Sequence, residues 1–199
     1  MKVNLYNKKI TCLEQINWNN YTNPITILNC SCNQLVDLKG CPESVKELYC
    51  SDNQIKSFKG CPDSVKILDC NNNQIENFKD CHKYVEELYC LYNKIKRFQE
   101  CQKFVKKLNC SFNQIKSLVD CPNSVIILYC WYNKLTDFLG CPDSVKELFC
   151  SHNRIKSFDG CSNSIEMLIC SNNKIKSFQG CPDSVKYLDC NNNQIGNFK

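Results

Sequence analysis

The chain has 199 residues and a net charge of +5, with 43% hydrophobic and 23% charged residues, which are proportions ordinary for a globular domain. Its opening stretch, Met1 to Trp18, carries Asn4, Asn7, Lys8, Lys9 and Thr11 among its apolar residues. This excludes the unbroken apolar run of a signal peptide or membrane span there, so a cytoplasmic location is expected.

Residues 1–20 lie outside the pattern that governs the rest. Val3, Leu5, Ile10, Leu13 and Ile16 nonetheless echo its apolar spacing, and they read as an N-terminal capping segment with Trp18 over the open end. From Tyr21 onward the sequence repeats every 20 residues without insertion, and residues 21–199 form one nine-copy solenoid domain. Leucine marks the copies at Leu28, Leu48, Leu68, Leu88, Leu108, Leu128, Leu148, Leu168 and Leu188. In the copy beginning at Val45, the apolar positions Val45, Leu48, Cys50, Ile55, Phe58 and Cys61 fit neither a helix nor one long alternating strand. They fit one coil, with a short strand, a turn and an extended return. Such a coil buries its inward side chains only by stacking on its neighbours.

Each turn carries an asparagine: Asn33, Asn53, Asn73, Asn93, Asn113, Asn133, Asn153, Asn173 and Asn193. The turn leaves backbone groups pointing inward without a ladder partner, and a buried amide can satisfy them. The return segment carries Pro42, Pro62, Pro122, Pro142 and Pro182, as suits an extended segment that makes no sheet bonds. Middle copies depart from this template, with His82 and Gln102 for proline and Asp80, Glu100 and Asp120 for glycine.

Of the 19 cysteines, nine form one column from Cys30 to Cys190 and eight another from Cys41 to Cys181, both at inward positions. A free thiol there acts as a small hydrophobe, so free thiols are expected. Oxidised ladders remain an alternative, since stacked coils bring like cysteines within disulfide reach. No Cys-x-x-Cys pair supports a zinc site, and neither metal nor cofactor is expected.

The residues Leu48-x-Cys50-x-x-Asn53-x-Ile55 and Cys61-Pro62-Asp63-Ser64-Val65 resemble the leucine-rich repeat, in the short 20-residue subclass of bacterial secreted effectors. The resemblance implies a right-handed, horseshoe-like solenoid with a parallel sheet on its concave side. It also implies a convex side that is extended or 3-10, with little helix. Cysteine replaces the usual leucine at two core positions. A straighter β-helix of the same period is the alternative architecture.

Strand alternation places the residues flanking each inward Leu and Cys on the concave face. Small polar residues occupy both ends of that face, while the middle gathers Tyr89, Leu91, Tyr92, Phe112, Tyr129, Trp131, Tyr132 and Phe149, with His152 beside them. Clustered outward aromatics mark a surface that binds a protein or peptide. Cross-strand stacking that only stabilises the sheet is the structural alternative. A basic patch of Lys94, Lys96, Arg97, Lys103, Lys106 and Lys107 accompanies them. It is either a solvated face or a means of steering an acidic partner. Binding of single-stranded nucleic acid is a minor alternative. No catalytic constellation is present, and the chain is not expected to be an enzyme. It is expected to be a monomer, or a homodimer joined end to end through Val185, Leu188, Cys190, Ile195 and Phe198 of the ninth copy.

Overall fold

The computed structural model describes residues 1–196, so Phe198 of the proposed end face lies outside the described residues. Among these residues the backbone forms one sheet of ten parallel strands of three residues each. They are β1 (Lys2–Asn4), β2 (Ile27–Asn29), β3 (Glu47–Tyr49), β4 (Ile67–Asp69), β5 (Glu87–Tyr89), β6 (Lys107–Asn109), β7 (Ile127–Tyr129), β8 (Glu147–Phe149), β9 (Met167–Ile169) and β10 (Tyr187–Asp189). The strands pair strictly in chain order. From β2 to β10 each pairing sets like positions side by side, as in Leu28 with Leu48 and Leu88 with Leu108. The chain is thus a solenoid with almost no helix, its 3-10 turns at Leu13–Gln15 and Trp18–Asn20 both lying near the start.

The first strand comes from the opening segment, whose Val3 and Leu5 echo the strand positions of the repeat. Val3 pairs with Leu28 at a separation of 25 residues, and its side chain joins the core. The opening segment therefore contributes a whole strand to the sheet. Trp18 is half-buried, and its indole N–H donates to the Gly40 carbonyl at 2.7 Å, which ties it to a coil corner.

Each coil buries the same set of side chains, and the set reads as columns. Leu28, Leu48, Leu68, Leu88, Leu108, Leu128, Leu148 and Leu168 are fully buried. Behind them runs a spine of phenylalanines with near-parallel rings 6.1 to 6.5 Å apart, with Leu38 at its start and Leu118 in its middle holding the same position. Dispersion and apolar burial along such columns stabilise every coil against its neighbours.

The asparagine column joins each coil to the one before it. Asn113 donates through Nδ2 to the carbonyls of Cys110 (3.1 Å), Ser111 (3.0 Å) and, one coil earlier, Cys90 (3.0 Å). Its Oδ1 accepts from the backbone N–H of Ile95 at 2.8 Å. Asn33 makes the same links to the opening segment, accepting from Lys8 and Ile10 N–H at 2.9 Å and donating to the Leu5 carbonyl at 2.9 Å.

The convex side is built from two successive turns rather than a continuous extended run. Cys61 N–H donates to the Phe58 carbonyl at 2.9 Å, and Val65 N–H donates to the Pro62 carbonyl at 3.2 Å. The corner glycine has φ near +80°, for example +82° at Gly140, where an added Cβ would stand 2.6 Å from the Val119 backbone. Asp80, Glu100 and Asp120 keep the same left-handed conformation with φ of 62°, 67° and 65°. A side chain there is held against its preference.

Candidate interaction surface

The sheet face carries two rows of rings, set by different backbone geometry. On the strands themselves Tyr129 and Phe149 stack, with centroids 4.4 Å apart and planes at 13°. Tyr89 stands two strands from Tyr129, separated from it by Asn109 of β6, and its hydroxyl donates to Glu87. Three residues beyond each strand comes a position with positive φ, which includes Tyr92 (52°), Phe112 (52°), Tyr132 (51°) and His152 (54°). Here the second row forms a continuous ladder. Tyr92 stacks on Phe112 at 4.1 Å, Phe112 on Tyr132 at 4.3 Å, and Tyr132 on His152 at 4.0 Å. The ladder lies on the sheet side because its backbone is still bonded coil to coil, as in Phe112 N–H to the Trp131 carbonyl at 2.9 Å.

The left-handed step also corrects the expected alternation. Position 31 and its equivalents were expected to face outward, yet Ser31, Ser111, Ser151 and Ser171 are buried and Leu91 is half-buried. The chain turns too sharply at the next residue for a period of two to continue. Where the same position is Trp131, the ring does not fit beneath and remains 39% exposed, with Tyr132 at 42% and Tyr92 at 50%. Between Trp131, Phe149, Ile169 and Asp189 lies an open depression of about 360 Å³, also lined by Tyr129, Tyr132 and His152.

The basic patch does not form one surface. Lys106 pairs with Glu86 at 2.9 Å, and Lys66 pairs with the other Glu86 oxygen at 3.2 Å. These two ammonium groups hold the Glu86 carboxyl below its usual range. Lys107 lies on the sheet beside Tyr89, 5.5 Å from its ring centroid. Lys103 belongs to the opposite flank, where it lines a depression with Glu100, Cys101 and Asp120. Lys94, Lys96 and Arg97 follow the ring ladder along the coil.

That flank holds a pair of rings not singled out from the sequence, Tyr84 and Phe104, 49% and 55% exposed with centroids 6.3 Å apart. In six other coils this position is serine, with Pro24 in the first copy, and the serine hydroxyl donates to a carbonyl of the preceding coil, as Ser124 does to Val105 at 2.7 Å and Ser144 to Val125 at 2.8 Å. The signal is legible in the sequence as two aromatic departures from a column that is otherwise serine after Pro24.

The nineteen cysteines are unpaired in the structure. The first column is deeply buried as far as Cys170, while Cys61, Cys101, Cys141, Cys161 and Cys181 of the second are half-buried at the core's margin. Burial pushes the thiols up, to about 12 for Cys101 and Cys30. Several donate to a carbonyl of the next strand, as Cys90 does to Asn109 at 3.3 Å, a bond leucine would not make. Among the described residues no three His, Cys, Asp or Glu side chains converge as metal ligands, and no helix is long and apolar enough to cross a membrane.

Ten parallel strands in register, an asparagine ladder and inward Leu and Cys columns define a leucine-rich-repeat solenoid. Its solved structural neighbours are proteins of that kind. YopM from Yersinia enterocolitica superposes with a TM-score of 0.76 at 27% identity over 88% of this chain and 39% of that one. A functional domain of InlJ from Listeria monocytogenes, described as including a cysteine ladder, gives 0.74 at 20% identity over 100% of this chain and 45% of that one. An internalin, inlF, from Listeria monocytogenes gives 0.73 at 18% identity, covering 99% of this chain and 68% of that one. The chain thus spans less than half the length of the first two. No family model and no curated protein matches the sequence.

Proposed function

We propose that the protein is a non-catalytic binding module whose sheet face, between Tyr89 and His152, receives a protein or peptide partner. The observation that carries this reading is the exposure of Trp131 and Tyr132 at an open depression lined also by Phe149 and Ile169, with exposed Tyr92 further along the same ring row. Trp and Tyr anchors around a desolvated pocket are the usual source of binding energy at protein interfaces. Tyr89, Leu91, Phe112, Tyr129 and His152 complete the proposed surface. The rings also stack on one another, which favours a second reading in which they only stiffen the sheet.

Affinity capture with wild type beside Trp131→Ala/Tyr132→Ala separates the two. A binding role predicts that the double variant loses the captured protein, with at least a tenfold weaker Kd once that protein is purified. Equal recovery of the same proteins with a lowered melting temperature leaves only the stiffening role. We further propose a cytoplasmic location, since residues 1–18 lack an unbroken apolar run and a reducing compartment would keep the inward cysteine columns as thiols. It is a monomer, or an end-to-end dimer through the half-buried Val185, Leu188 and Cys190, and sedimentation of Leu188→Lys beside wild type tells which.

A further inference from the structure

The basic residues gain a pattern once the coils are aligned by the ring ladder. Two and four residues after each ladder position the chain places Lys94 and Lys96, Lys116, Lys134, Arg154 and Lys156, and Lys174 and Lys176, with Arg97 next to Lys96. Over residues 92–97, 112–117, 132–137, 152–157 and 172–177 there are nine basic residues and one acid, Asp137, a net of +8 where the whole chain is +5. The equivalent positions of the first three copies hold one base, Lys56, against Asp37, Asp52 and Glu76, a net of −2. At these positions net positive charge is thus confined to the coils that carry the rings and the one that follows them.

These nine side chains are not neutralised within the molecule. The ion pairs among the described residues use Lys39, Lys66, His82, Lys106, Lys146 and Lys186, and none of the nine. Eight of the nine are exposed and Lys134 is half-buried. At roughly 4.8 Å per coil the strip is about 19 Å long, the reach of about six residues of extended chain. A row of like charges along one edge focuses its field on an oppositely charged partner.

The rings decide which anion fits. Tyr92, Phe112, Tyr132 and His152 stack face to face at 4.0 to 4.3 Å, so Phe112 and Tyr132 have both faces covered and Tyr92 and His152 have one, which leaves mainly ring edges along the row. Nucleic-acid bases bind aromatic side chains through ring faces. A ring edge carries the positive end of the quadrupole, which suits carboxylates and aliphatic groups.

We infer that the partner of the sheet face is an acidic, partly apolar protein segment, its carboxylates held by the strip from Lys94 to Lys176 and its apolar side chains set against the ring edges and Trp131. This rests on the proposed function of the same face. The test is fluorescence anisotropy with a labelled peptide Glu-Glu-Leu-Glu-Glu-Leu-Glu-Glu, an eight-nucleotide oligo-dT and an octalysine control. The proteins are wild type, Trp131→Ala/Tyr132→Ala, Lys134→Glu/Arg154→Glu/Lys174→Glu, and Lys8→Glu/Lys59→Glu/Lys79→Glu, the last making the same charge change away from the strip. Of the six charge-reversed side chains Lys134 is half-buried and the other five are exposed, and circular dichroism checks the fold of every variant.

The expected result is saturable binding of the acidic peptide that weakens with salt. Reversal of the strip should weaken it at least tenfold, and the control triple at most about threefold. No binding by wild type, equal loss in both triples, or oligo-dT bound as tightly as the peptide overturns the proposal. If peptide binding survives strip reversal but Trp131→Ala/Tyr132→Ala abolishes it, the sheet-face site stands and the acidic class is wrong. If the strip binds the peptide and the ring variant has no effect, the acidic class stands and the aromatic anchor is wrong.

Discussion

Raising the pH of a fully reduced sample should unfold this protein unusually early and steeply. Cys30, Cys50, Cys70, Cys90, Cys110, Cys130, Cys150 and Cys170 are at most 1% exposed, and burial raises each thiol's pKa. In the unfolded chain a thiol ionises near pH 8.5. Above that pH the unfolded state has lost these protons while the folded state keeps them. Folding stability is therefore intact below about pH 8.5 and falls as pH rises toward the folded values, by about 1.4 kcal/mol per pH unit for each thiol. The eight together remove roughly 11 kcal/mol per unit, as much as the entire stability of a typical domain. The half-buried second column adds to the same slope, and tyrosine and lysine ionisation enters only nearer pH 10. Far-ultraviolet dichroism of the sheet, followed from pH 7 to 11 with a phosphine reductant present, should show a cooperative transition near pH 9.5 to 10. Thiol absorbance at 240 nm should rise with it. A sheet signal unchanged at pH 10.5, in protein whose thiols titrate as free, would refute the argument. Protein oxidised along the columns should lack the transition, so the assay also reports the redox state.

Asn113→Ala strands the Ile95 N–H and removes three donated bonds in a site only 7% exposed, so a loss of about 2–4 kcal/mol is expected in denaturant melts, against under about 0.5 for exposed Asn123→Ala. At the glycine corners, Gly140→Ala should lose about 1–3 kcal/mol because its Cβ meets the Val119 backbone, whereas Asp120→Gly, at φ 65°, should gain up to about 1 kcal/mol by the same melts. Native alkylation at neutral pH, read by peptide mass spectrometry, should modify Cys12 and Cys32 first, since both are half-exposed and lie outside the two columns. Labelling that begins in the Cys30 to Cys170 column would contradict the packing described.

The period alone determined which residues share a column, because a coil closed every 20 residues leaves one side of the backbone for the core. The inward leucines, the asparagine ladder and both cysteine columns follow from that spacing, with no distance needed. Tertiary structure decided the rest wherever neighbours lie across coils and not along the chain. A window on the sequence groups Lys103 and Lys106 with Lys94 and Lys96, yet the structure sets the first two in depressions on the flank, beside Glu100 and Glu86, while the last two follow the ring ladder. The left-handed φ at Tyr92, Phe112 and Tyr132 is likewise set by the sharp turn into the asparagine, and it turned separate outward aromatics into one stacked row. Val3 found its partner Leu28 across 25 residues because the sheet edge accepts any strand that buries an apolar residue in register. Local spacing specifies what a coil buries. Only the stacking of coils specifies what the outer surface brings together.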